Sequence, residues 1–230
     1  LTHIMVYHLF RGIVNTSRKH LIIGVLWSVP AMLIKAPYVF YLSVPMVFLA
    51  IAQNKLRFVL KHSYLLALPL ISFMAWRWHV GQVNFSAPNW DFIPQYNKFT
   101  DMWYWYFGNW QQRLDPDQWD DVIQRILREV TGSIGALMVL IGLLFTLKDV
   151  AGRVMLAWML GLLIYLLIFF NLNVRHNYYQ IPFIAPLSVL MAMGVSGVSK
   201  LFRGWSNYAV AILLTLLVIQ SVFTSEQQYF

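Results

Sequence analysis

Between Thr131 and Phe223 the charged residues are confined to short turns: Lys148, Asp149 and Arg153, then Arg175, then Lys200 and Arg203. The runs they separate are apolar, and each approaches the roughly 20 residues that carry a helix across a ~30 Å hydrocarbon core. Backbone in lipid must satisfy its N–H and C=O groups internally, and a helix does so within one segment. These runs predict an all-α, polytopic membrane bundle. A mean hydropathy of +0.59 and 11% charged residues agree, and exclude a soluble domain of this size.

A net charge of +8 is compatible with nucleic-acid binding. In a chain this apolar, basic residues held on the cytoplasmic side explain it instead, so no nucleic-acid partner is expected. Cysteine is absent, which removes disulfides, cysteine-ligated zinc and thiol nucleophiles. No cleavable signal pattern is present at the N-terminus. The chain opens at Leu1 inside an apolar stretch, Ile4 to Phe10, which reads as a span shortened by truncation. Arg11, Arg18 and Lys19 follow as a cytoplasmic anchor. His3, His8 and His20 share no ligand spacing with acids or with one another, so no metal site is predicted there.

Residues 21–52 are apolar except for Lys35. One helix of that length would extend roughly 50 Å, too long for the core. Two short spans meeting at Lys35-Ala36-Pro37 are predicted instead, because Pro37 disfavours helix at the residue before it. Two crossings also return Lys55, Arg57 and Lys61 to the side of Arg11, Arg18 and Lys19. Lys35 then lies near the outer surface, where it snorkels to the headgroups or binds an anionic group such as a lipid phosphate. A third span is predicted at about 63–80, with Arg77 and His79 at its outer end. Later spans cover about 131–147, the run up to 170, 178–198 and 207–223. With seven spans, N-terminus inside and C-terminus outside, the inner segments hold ten basic residues against Asp149 alone. The outer side holds seven basic residues against eight acids, as the positive-inside rule requires.

The whole of 1–230 thus reads as one transmembrane domain, and its only long polar segment, 81–130, as an extracytoplasmic loop. That loop carries seven of the nine acidic residues and the run Trp103-Tyr104-Trp105-Tyr106-Phe107, with Trp110 behind it. Trp and Tyr concentrate at the headgroup layer, where one end of the side chain is wet. Asn84 to Pro94 has turn-like spacing. Asp115-Pro116-Asp117-Gln118 is a helix start, with an Asp N-cap, Pro at the first helical position and Gln three residues after the cap. Trp119, Val122, Ile123, Ile126, Leu127 and Val130 then share one face at 3.6-residue spacing. Capping explains Asp115 and Asp117. Solvation accounts for Asp120 and Asp121, and Arg125 and Arg128 read as part of the same solvated face. Asp91 and Asp101 have no partner at diagnostic spacing.

The short outer loop Asn171–Asn177 and the residues after it pack Arg175, His176, Tyr178 and Tyr179 between two apolar spans. The bland reading is tyrosine anchors and a snorkelling arginine, with Pro182 and Pro186 kinking the helix. The functional one is that Arg, His and tyrosine hydroxyls grip a phosphate or pyrophosphate at the membrane surface.

The run Arg175-His176-Asn177-Tyr178-Tyr179-Gln180-Ile181-Pro182-Phe183-Ile184-Ala185-Pro186 resembles the H-x-Y-Y-x-x-P-x-x-x-P run in a late span of the GT-C membrane glycosyltransferases. The branch it resembles is that of the protein O-mannosyltransferases and lipid A aminoarabinose transferases. Leu33-Ile34-Lys35-Ala36-Pro37 is similar to the lysine–small–proline break of that family. The resemblance implies a transferase in a bacterial inner membrane that takes a sugar from a polyprenyl-phosphate donor at the extracytoplasmic face. Lys35, Arg175, His176, Tyr178 and Tyr179 become donor-phosphate contacts. The family's catalytic carboxylate lies in a first outer loop, and nothing before Lys35 is Asp or Glu. No catalytic residue is therefore assigned, and the expectation is a C-terminal fragment. No cofactor or metal ligand is assigned either, with a divalent metal left open. The alternatives are a related lipid-linked sugar polymerase or ligase, a transporter, or a non-catalytic membrane protein.

Overall fold

The computed structural model describes residues 1–86, 103–146, 150–202 and 204–229. Asp91, Asp101, the turn-like stretch beyond Ser86, the turn at Lys148 and Arg203 lie outside the described residues. Those described are helical apart from turns, and they form two compact units. The first comprises Leu1–Gly108 and Leu163–Phe169, the second Asn109–Leu162 and Phe170–Phe230.

The first unit begins with α1 (Thr2–Val14) and α2 (Arg18–Lys35), continues through α3 (Pro37–Phe40), α4 (Ser43–Ala52) and α5 (Leu56–Lys61), and ends in α6 (Ala67–Ser86) and the short aromatic α7 (Trp103–Phe107). The chain reverses between α1 and α2, where Thr16 adopts φ 52° and Ser17 is extended and caps α2, accepting from the His20 N–H at 3.4 Å. Gly12 and Gly24 hold this hairpin close. A Cβ at Gly12 would lie 2.9 Å from the Leu21 backbone nitrogen, and one at Gly24 would lie 3.0 Å from that of Leu9. Small residues that let backbones approach are the usual adhesive between helices in lipid, where apolar burial gives little drive.

The break predicted at Lys35-Ala36-Pro37 is present, with α2 ending at Lys35 and α3 starting at Pro37. α2 packs on α1 and on α6, while α4 packs on α1. Ala36 keeps right-handed helical angles, φ −48° and ψ −43°, so the chain passes into α3 through a helical residue. Pro37 starts α3, where its missing N–H costs nothing. α4 has 10 residues, a length of about 15 Å and half of what a ~30 Å core demands. α6 also departs from expectation, because it continues to Ser86 and leaves Arg77 and His79 in mid-helix.

The second unit contains α8 (Trp110–Leu114), α9 (Pro116–Arg125), α10 (Gly132–Thr146), most of α11 (Val150–Ile168), α12 (Phe170–Arg175), α13 (Ile181–Leu201) and α14 (Ser206–Tyr229). The predicted start of α9 holds: Asp115 is the N-cap, its carboxylate accepts from the Asp117 N–H at 3.1 Å, and Pro116 opens the helix. The predicted apolar face holds only in part. Val122 is completely buried and Trp119 half-buried, but Ile123 and Leu127 are exposed. A π-helical segment at Ile126–Thr131 changes the 3.6-residue period from Ile126 onward, which covers Leu127, while Ile123 is already exposed within α9.

Among the described residues, four helical stretches are long and apolar enough to cross a membrane: Pro116–Thr146, Val150–Ile168, Asn177–Leu201 and Asn207–Thr224. They match the last four predicted spans, and this is the make-up of a multi-pass membrane protein. The span within α14 buries none of its residues in the fold and exposes Ile212, Leu214, Val218 and Val222, a surface that only lipid or further protein can cover. α10 and α13 form the closest pair of the unit. A Cβ on Gly142 would collide with the Leu190 carbonyl, and one on Gly194 with the Met138 carbonyl. The two backbones touch. Ser28 and Thr146, buried in apolar helices, donate to carbonyls three residues back at 2.6 Å each, which satisfies their hydroxyls locally.

Candidate functional site

The segment that carries the family resemblance is not the solvated loop expected of Asn171–Asn177. Phe170, Asn171, Leu172, Asn173 and Val174 are all buried as α12. Two asparagines in such a place need partners, because a buried amide without hydrogen bonds costs about 1–3 kcal/mol. Gln112 of α8 donates its Nε2 to Asn171 Oδ1 at 2.8 Å. Gln180 donates its Nε2 to the backbone carbonyl of Asn173 at 2.8 Å, which holds the segment without reaching the Asn173 side-chain amide.

Arg125 completes the anchor. Its Nη1 donates to the carbonyls of Val174 at 2.6 Å and Asn173 at 3.2 Å. These are among the last carbonyls of α12, which have no partner within the helix, and an arginine there also opposes the negative end of the dipole. Arg125 is therefore a structural cap and not part of a solvated face, contrary to the reading from periodicity. At the start of α12, Phe170 packs against the Trp119 ring with centroids 4.9 Å apart and beneath the Arg113 guanidinium at 5.8 Å. Trp110 lies on the same guanidinium at 5.6 Å. Burial there lowers the Arg113 pKa from its ordinary value by desolvation.

Past α12 the chain becomes extended at His176, φ −134° and ψ 123°, and then makes one 3-10 turn over Asn177–Gln180 before α13. This brings three of the predicted residues together. His176 stacks on Tyr178 with centroids 5.1 Å apart, and Tyr178 lies 4.8 Å from Tyr179. Arg175 and Tyr178 are exposed and His176 half-buried, whereas Tyr179 is buried and belongs to the support. Arg175 makes no ion pair among the described residues. An imidazole stacked on a phenol is thus presented on an anchored base, with the exposed Arg175 next to His176 in the chain. All three can donate hydrogen bonds, and together they suit a phosphate or another oxyanion. Pro182 falls in the first turn of α13 and Pro186 within it, both buried. Lys35 belongs to the first unit, half-buried at the last position of α2.

Other polar groupings were not foreseen. His8 and His20 meet across the α1–α2 hairpin with their Nδ1 atoms 2.9 Å apart. Their positions about the turn are informative only once that hairpin is known. Gln220 on α14 accepts from the Ile134 N–H at 2.9 Å, and a side chain on Gly132, at φ 64°, would strike the same amide. A glutamine inside the last predicted span was the available signal. Among the described residues, no three His, Asp or Glu side chains converge as metal ligands.

Comparisons with protein-family models, with curated proteins and with solved structures find no match to this chain.

Proposed function

We propose that this chain is part of a membrane glycosyltransferase of GT-C type, moving a sugar from a polyprenyl-phosphate donor to an acceptor at the extracytoplasmic face of a bacterial inner membrane. The observation that carries the proposal is the His176–Tyr178 stack, with exposed Arg175 adjacent in the chain, on a segment fixed by Gln112, Arg125 and Gln180. A leaving lipid phosphate needs its growing charge met by donors already in place, and rigid support removes the cost of reorganising them. Arg175 takes the role of principal charge partner, with His176 and Tyr178 as hydrogen-bond donors. Tyr179 positions the Tyr178 ring. Lys35 is proposed as a second donor-side cation.

The same proposal includes seven crossings, with α2, α3 plus α4, and α6 supplying the first three and the basic turns facing the cytoplasm. The natural absence of cysteine makes that order testable by single-cysteine labelling from either side.

The deciding experiment uses the intact membrane protein. Sugar transfer from a polyprenyl-phosphate donor is measured in membranes bearing the wild type or Arg175→Ala. Turnover is expected to fall about 100-fold, with expression and melting temperature unchanged. Full activity in the variant would remove Arg175 from the reaction.

A further inference from the structure

A second polar feature of the same unit does not depend on the transferase reading. Where α9 gives way to the π segment and α10 begins at Gly132, a cavity of about 840 Å³ opens, lined by Asp121, Arg125, Arg128, Glu129, Ser133 and Gln220 among others. Its size falls within the roughly 300–1,000 Å³ typical of small-molecule sites. Both signs of charge line it, yet its charged side chains form no ion pair with each other among the described residues. Asp121 and Arg125 stand four positions apart, a spacing that normally pairs them. Arg125 is instead turned to the Asn173 and Val174 carbonyls. Asp121 and Glu129 are left with no cation among the described residues, and Arg128 with no anion.

The wall of the cavity is fixed. Gln220 is held by the Ile134 N–H at 2.9 Å, and Gly132 at φ 64° gives its amide room. The setting is also specific. An amphipathic helix with acidic residues meets the apolar α10 and the unburied apolar face of α14, which is how the headgroup level of a bilayer meets its core.

We infer that this cavity binds the phosphoethanolamine headgroup of a phospholipid, with Arg128 on the phosphate, Asp121 and Glu129 on the ammonium, and the acyl chains along α14. A primary ammonium offers three N–H donors to the two carboxylates. A glycerol headgroup lacks the cation, and a choline headgroup lacks the donors. Arg128 supplies the charge-assisted contact to phosphate.

The test is native mass spectrometry of the full chain in detergent, titrated with phosphatidylethanolamine, phosphatidylglycerol or phosphatidylcholine. Phosphatidylethanolamine is expected to be retained about ten-fold more strongly than either of the others, a difference of about 1.4 kcal/mol. Arg128→Gln lowers that retention about ten-fold. Glu129→Gln removes the preference over phosphatidylglycerol. Ser133→Leu, which fills the cavity without touching a charge, blocks binding if either charge variant fails to fold. Soluble glycerophosphoethanolamine distinguishes the two sources of the headgroup. Competition only at much higher concentration supports the lipid, and competition at equal concentration overturns the acyl-chain part of the assignment. Equal retention of all three lipids, or wild-type retention in Arg128→Gln and Ser133→Leu alike, overturns the site.

Discussion

The two units solve one packing problem in two ways. In the first, Gly12 and Gly24 admit a neighbouring leucine, and the atoms nearest an added Cβ are mostly leucine side-chain atoms, Cδ2 at 2.7 Å in both cases. In the second, Gly142 and Gly194 admit the carbonyls of Leu190 and Met138, so the contact is backbone against backbone. A leucine tip can change rotamer, but a carbonyl held in a helical ladder cannot move without moving its helix. The approach is therefore tighter in the α10–α13 pair, where carbonyls are met directly, than in the α1–α2 hairpin, where leucine side chains stand in front of backbone nitrogens at 2.9 and 3.0 Å. The rigid pair lies in the unit whose Arg175 segment demands fixed geometry, and α13 itself begins one residue after that segment.

The comparison breaks most sharply at Gly194. Gly194→Ala is expected to cost about 3 kcal/mol or more by overpacking, read as a large fall in melting temperature in detergent. A change no bigger than that of Gly12→Ala would show that the two helices have slack. Next in size is Arg125→Met, which keeps the aliphatic stem but removes the Arg125 donor from the Val174 carbonyl and leaves the Asn173 carbonyl to Gln180 alone. A loss of about 2 kcal/mol is expected, with faster amide exchange confined to residues near 170–180. Exchange spread evenly over the unit would mean that Arg125 does not anchor α12. The smallest effect belongs to the first unit, where Gly12→Ala should cost about 1 kcal/mol. Combining it with Leu21→Ala should recover part of that loss, a coupling that appears only if the leucine side chain is the obstacle. No recovery would put the obstacle in the Leu21 backbone and make the two units alike.

Much of the second unit was legible from local chemistry. Charge-free runs located the four long apolar helices, because lipid tolerates neither a bare backbone group nor a bare charge. Asp115 and Pro116 announced the start of α9, since capping is settled by a few adjacent atoms. The first unit was read less well. Proline at 37 marked the end of α2 correctly, yet Ala36 stayed helical, and the reversal at Thr16 and Ser17 was not predicted although Asn15-Thr16-Ser17 is a run of turn-forming residues. At the candidate site the residue types of 175–179 stood out in the sequence, but their burial did not. Asn171 and Asn173 resemble loop residues until Gln112 and Gln180 are brought to them, and Arg125 resembles a surface cation until α12 presents its carbonyls.

The sequence alone determined that the chain is helical, apolar enough for a bilayer, punctuated by basic turns and free of thiol chemistry. These follow from composition and from interactions within a few residues. Tertiary structure alone decided which helices pair, that α12 is buried, that Tyr179 supports while Arg175 and Tyr178 face outward, and that Asp121, Arg128 and Glu129, without an ion pair among the described residues, share one cavity. Each of these depends on residues distant in sequence, as Gly142 does on Leu190 and Ile134 on Gln220, and no local pattern encodes a contact made by a partner more than forty positions away.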